Sequence, residues 1–159
     1  MPVIEIKEVI PASAKEVFTL LHDYERRLEW DTLLSEAYLE PEFEKAEAGA
    51  ISVCRGKIIL GGFALRTRYV SFEPGKVAAV KLLNNPPFFD TFAASIRHMP
   101  VDDKNSEVIY KVNFTAKPKW LGWLLQPIMG AVFAWETKKR LTALRNYFEI
   151  TDDGRKSKC

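Results

Sequence analysis

The sequence predicts an α+β domain in which a curved antiparallel sheet of about seven strands wraps around one long C-terminal helix. Three observations predict it. Apolar residues recur with period two from Leu34 to Phe114, interrupted by turn formers. One strand and two short helices precede that run. A helical run extends to about Phe148, opened by Trp120–Trp135, a stretch without a charged residue. The order strand, two helices, six strands, helix leaves the long helix one surface to lie on, the face of the sheet.

Residues 3–10 alternate and are rich in β-branched side chains, so they read as a strand, which Pro11 ends. Ser13-Ala14-Lys15-Glu16 then matches a capping box, which satisfies free backbone N–H groups at a helix start. Ala14, Val17, Phe18 and Leu21 form the apolar stripe of that helix. A second short helix spans Tyr24 to Glu29 and ends near Trp30. Strands follow near 34–41, 50–58, 62–72, 77–83, 88–99 and 107–115. Ala48-Gly49, Gly61-Gly62, Pro74-Gly75, Asn84-Asn85-Pro86-Pro87 and Asp102-Asp103-Lys104-Asn105 break them. Such short connections imply an antiparallel meander. Pro118 ends the sheet region, and Pro127 suits the first turn of the last helix, where its missing N–H costs nothing. That helix is apolar on nearly every side at first, then narrows to a stripe of Leu141, Leu144, Tyr147 and Phe148. Residues 1–150 read as one domain and 151–159 as a polar tail.

Composition excludes several function classes. A net charge of +2, with the basic residues scattered, argues against nucleic-acid binding. Two cysteines, Cys54 and Cys159, make no disulfide framework and fit a reducing cytoplasm. The N-terminus has no signal-peptide core, and the uncharged run is shorter than the roughly 20 residues of a membrane span. His22 and His98 lie in no metal-ligand cluster, so no metal site is expected, and no cofactor motif occurs. No nucleophile elbow is present.

The candidate site residues come from the strand faces. Phe63, Leu65, Thr67 and Tyr69 share the inward face of strand 62–72, with Arg66 and Arg68 on the solvent side. Strand 88–99 places Phe88, Asp90, Phe92, Ala94, Ile96 and His98 together. Strand 107–115 adds Val108, Tyr110, Val112 and Phe114. A curved sheet too wide for one helix leaves a pocket. Its predicted lining is Phe63, Leu65, Tyr69, Phe92, Tyr110, Val112, Ile128, Val132 and Trp135, with Met129 and Phe133 at the mouth. Trp30 is read as a plug at one end, with Asp31 capping a turn. Glu136 shares a helical face with Met129, Val132 and Arg140. It either pairs with Arg140 at the surface or forms a carboxylate in the pocket wall. Trp120, Trp123 and Leu124, beside Lys117 and Lys119, fold back as a lid, bury in an oligomer interface, or touch a membrane.

Pro11-Ala12-Ser13-Ala14-Lys15-Glu16-Val17-Phe18, followed by Leu21, Asp23, Arg27 and Glu29-Trp30-Asp31, resembles the opening of START and polyketide-cyclase-like proteins. Lys139-Arg140-Leu141-Thr142-Ala143-Leu144 is similar to their final-helix pattern. The resemblance, over residues 3–149, is to the START/Bet v 1-like (SRPBCC) superfamily and its compact members. It implies the helix-grip fold and an internal apolar pocket for a lipid, isoprenoid, quinone or polyketide. The expected function is therefore binding or transport of a hydrophobic small molecule without catalysis. One alternative is a cyclase or aromatase using Asp90, His98 or Glu136 as acid or base. Another is a membrane- or protein-interaction module built on residues 120–135.

Overall fold

A computed structural model describes residues 3–57 and 63–157, with side chains through Ile150. The chain enters along β1 (Val3–Ile10). Ser13 then caps α1 (Ala14–Leu21), its Oγ accepting the Glu16 N–H at 3.2 Å. The stripe of α1 buries Val17, Phe18, Leu20 and Leu21. The second helix is shorter than expected: α2 is one turn, Arg27–Trp30, with Trp30 buried.

The six expected strands all occur, close to their expected limits. They are β2 (Leu34–Leu39), β3 (Ile51–Gly56), β4 (Ala64–Glu73), β5 (Val77–Leu82), β6 (Phe89–Pro100) and β7 (Ser106–Ala116). The hairpin turn expected at Gly61-Gly62 lies outside the described residues. Sheet order is β1-β7-β6-β5-β4-β3-β2, with every pairing antiparallel. It is a meander to which β1 adds at the β7 edge, Ile4 opposite Val112 and Ile10 opposite Ser106. Between β4 and β5, Lys76 N–H reaches Glu73 O at 3.0 Å, with Gly75 at φ 78°. That φ after Pro74 is the type II arrangement, which favours glycine at the third turn position.

One irregularity changes which side chains face inward. The register of β6 against β7 shifts between Phe89 and Thr91. An extra residue at such a bulge reverses the alternation on its N-terminal side. Phe89 and Phe92 are both buried, whereas Phe88 and Asp90 are exposed. The expectation that Phe88 and Asp90 share the inward face of Phe92 is therefore corrected.

A 3-10 turn at Lys119–Leu121 leads into α3, Gly122–Ser157. The helix begins before Pro127, which lies inside it rather than in its first turn. Gln126 ties this opening to the sheet. Its Nε2 donates to Phe114 O at 2.7 Å, and its Oε1 accepts the Ala116 N–H at 2.9 Å. The helix backbone continues to Ser157, past the expected end near Phe148. The sheet curls into a half-barrel, and α3 packs against β1 and β7. Leu141 and Leu144 are fully buried with Ile10, Val17, Trp30 and Val108. Nearer its start, Phe133 packs its ring 5.2 to 5.5 Å from those of Phe89, Phe92 and Phe114. Among the described residues, no helix is long and apolar enough to cross a membrane.

Candidate ligand pocket

Between the sheet and α3 lies a pocket of about 160 Å³. Its apolar wall comes from alternate positions of four strands and one helix. Phe63 and Leu65 precede and open β4, Val80 comes from β5, Phe92 and Ala94 from β6, Val112 from β7, and Phe133 from α3. Strand alternation explains the strand members of the set, which point to the same face as Tyr69, Ile96 or Tyr110.

The other wall is polar and consists of two networks. In the first, Asp31 is buried with no exposed side-chain surface and receives two guanidinium groups. Arg27 Nε donates to its Oδ2 at 3.0 Å, and Arg140 Nε donates to the same oxygen at 2.8 Å. The Leu33 N–H fills Oδ1 at 3.2 Å. Arg27 also donates from Nη1 to Leu21 O at 3.1 Å, and its guanidinium carbon sits 4.8 Å from the Trp30 ring centroid. Arg27 and Arg140 both line the pocket. Among the described residues, nothing bonds the terminal nitrogens of Arg140. Burial opposes ionisation of Asp31, but Arg140 and Arg27 outweigh it and hold the carboxyl below its usual range. Burial likewise opposes the charge on Arg27, and Asp31 together with Cys54, Tyr24 and Tyr110 more than offsets it.

In the second network, the Tyr69 hydroxyl joins His22 Nδ1 at 2.8 Å and the Tyr24 hydroxyl at 2.7 Å. Burial pushes the Tyr24 hydroxyl up to about 12 and Tyr69 well above its ordinary value. Both phenols therefore keep their protons near neutral pH and act as neutral donors and acceptors. Burial, then the neighbouring His98 and Arg27, keeps His22 neutral. Ser52 Oγ and Thr67 Oγ1 meet at 2.9 Å across β3 and β4 on the same pocket face.

The expected residues divide cleanly by position. Phe63, Leu65, Tyr69, Phe92, Tyr110, Val112 and Phe133 line the pocket. Met129 is half-buried against the Phe89–Phe114 cluster. Ile128, Val132 and Trp135 are corrected: they are exposed on the opposite face of α3. The inward face runs through Met129, Phe133, Thr137 and Leu141. An uncharged run has no polar face to show which side turns away from the sheet, and hence the misplacement. Of the three acid–base candidates, Asp90 is exposed. His98 is buried but lies beyond the pocket, against Phe18 and His22. Glu136 lines the pocket. Burial raises its pKa, Arg140 partly opposing and Asp31 adding to the rise.

Trp30 is buried as expected, and Asp31 does bond a turn N–H, but its two arginine partners were not foreseen. Arg27 stands four residues before Asp31, and Arg140 stands three after Thr137 and four before Leu144 on the inward face. That spacing was the available signal. His22, Tyr24 and Cys54 also line the pocket unanticipated. Among the described residues, no three His, Cys, Asp or Glu side chains are grouped to hold a metal ion.

A seven-stranded curled sheet gripping a long C-terminal helix defines the START/Bet v 1-like helix-grip class. The chain belongs to the family described as polyketide cyclase / dehydrase and lipid transport, which matches residues 1–149. Several solved structures share its fold. A START superfamily protein from Mycobacterium smegmatis superposes with a TM-score of 0.78 at 11% identity, covering 94% of this chain and 98% of its own. The Zhui aromatase/cyclase from Streptomyces sp. R1128 gives 0.77 at 14% identity, covering 93% of each chain. The XoxI protein from Bacillus cereus gives 0.75 at 15% identity, covering 96% of this chain and 99% of its own. At these identities the likeness shows the fold alone. No curated protein matches the chain closely enough by sequence to count as a relative.

Proposed function

We propose that the protein binds an amphipathic small molecule, with an apolar body in the aromatic half of the pocket and an anionic or acceptor-rich end at Arg27 and Arg140. One observation carries this reading. Two guanidinium groups, Arg27 buried and Arg140 largely so, share a single carboxylate in the wall of a mainly apolar pocket. Burying a cation is costly unless it is fully paired, and Asp31 uses one nitrogen of each arginine. A carboxylate end of a ligand supplies the missing acceptors as a charge-assisted pair. Tyr110 and the Tyr24–Tyr69 hydroxyls orient it, and the apolar body contributes roughly 25 cal/mol per Å² removed from water. Family membership supports the broader class, a hydrophobic ligand.

Native mass spectrometry of protein purified without detergent tests the reading. A ligand adduct is expected on the wild type and absent from Ala94→Phe, which places a ring inside the pocket. An adduct retained in full by Ala94→Phe contradicts it. A second reading, acid–base chemistry of the cyclase type, rests on Glu136 in the pocket wall with a raised pKa. Turnover of a poly-β-keto thioester that Glu136→Gln abolishes, with the adduct retained, favours this second reading.

A further inference from the structure

The pocket leaves the other face of α3 unused, and that face is apolar. Trp120 and Trp123 are 76% and 77% exposed, and Leu124, Ile128, Val132 and Trp135 continue the stripe at helical spacing. This is a convex ridge rather than a groove, because the opposite face of the helix is committed to Phe89, Phe92 and Phe114 through Phe133. A second element joins it at its N-terminal end. Lys117 N–H donates to Phe88 O at 3.0 Å, which brings exposed Phe88 of the β5–β6 loop beside the start of the ridge.

The ridge is flanked by lysines at both ends. No Asp or Glu occurs from Val108 to Trp135. Lys119 stands at one end, and Lys138 and Lys139 at the other, with Lys139 Nζ 4.4 Å from the Trp135 ring centroid. Glu29, in the shallow groove beside that end, is engaged by Arg26 at 3.3 Å.

We propose that this ridge docks the protein onto an anionic bilayer surface, lying in the interface without crossing it. Tryptophans favour the headgroup level, and lysines beside them reach lipid phosphates while their stems stay in apolar surroundings. Charge selects the bilayer over a second copy of the chain. Ridge-to-ridge pairing in either direction sets lysines against lysines. The proposal does not depend on what the pocket holds.

Vesicle flotation tests it, using phosphatidylcholine vesicles with and without phosphatidylglycerol. Wild type is expected to float with the anionic vesicles, with a blue-shifted tryptophan emission, and to be released by high salt. Trp120→Ser/Trp123→Ser and Lys119→Glu/Lys138→Glu are each expected to lower the partition coefficient at least tenfold. Both variants change exposed side chains, and matching circular dichroism and thermal midpoints establish that they are folded. Wild type that stays at the bottom of the gradient overturns the proposal, as does equal flotation of the tryptophan variant. A wild-type dimer that becomes monomeric in Trp120→Ser/Trp123→Ser also overturns it, giving the ridge to a second copy.

Discussion

Asp31 ties its near neighbours, the α2 residue Arg27 and the turn at Leu33, to Arg140 on α3, 109 residues away in sequence. Its removal leaves two guanidinium groups buried around a neutral side chain. Breaking a buried ion pair by deleting one partner costs about 3–5 kcal/mol, because the remaining charge is uncompensated. Asp31→Asn is expected to lower the urea midpoint by that equivalent with an unchanged slope, whereas a loss below about 1 kcal/mol contradicts the pairing. The sequence shows Trp30-Asp31 as a motif but not its partners. A single arginine in a basic run such as Lys138-Lys139-Arg140 looks solvated until the helix face is known. Burial of Arg140 follows from its place between Thr137, Leu141 and Leu144, not from its composition.

At the scale of elements, α1 meets β4 and β6 through rings. Phe18 lies 4.5 Å from His22 and 5.2 Å from His98, centroid to centroid, and the two imidazoles are 6.4 Å apart. Among the described residues, His22 Nε2 and both ring nitrogens of His98 are buried without a hydrogen-bond partner. Burial lowers the His98 pKa from 6.5 to about 4. The unfolded chain therefore binds the extra proton between those values. The stability held by the neutral ring is complete above pH 6.5 and is lost as pH falls toward 4. That loss is on the order of 3 kcal/mol. His22 acts in the same direction, and Glu136, with its raised pKa, acts oppositely. His98→Leu retains both of these groups, so the comparison isolates His98. Urea midpoints at pH 7.5 and 4.5 are expected to differ much less in His98→Leu than in wild type. An equal pH dependence in the two proteins contradicts the role given to this ring. Periodicity finds these strands but cannot tell a pocket histidine from a core one, since both sit at inward positions. Nor does it register the bulge that turns Asp90 outward, because a bulge inserts a residue without a distinctive composition.

The whole molecule was legible because its turn chemistry and periodicity agree at every level. Gly49, Pro74-Gly75 and Asp102–Asn105 stand between strands, Ser13 stands at a helix start, and the helix follows the last strand. The pocket was half legible. Strand alternation puts Phe63, Leu65, Tyr69, Phe92, Tyr110 and Val112 on the face that lines the pocket, since a period of two leaves only two choices of face. The helix contribution was not, because the rotation of α3 about its axis is set by Phe133 packing and by Asp31 holding Arg140. Those contacts join residues far apart in the chain, and an uncharged segment carries no pattern from which to infer them. The pocket has one apolar wall and one that carries Arg27 and Arg140, so the proposed function predicts discrimination by head group. Calorimetric titration with octanoate and with octanol measures that directly. Wild type is expected to bind octanoate at least tenfold more tightly than octanol, about 1.4 kcal/mol, and Arg140→Met is expected to erase the difference. Equal affinity of wild type for the two, or a preference for octanoate that survives in Arg140→Met, contradicts the account.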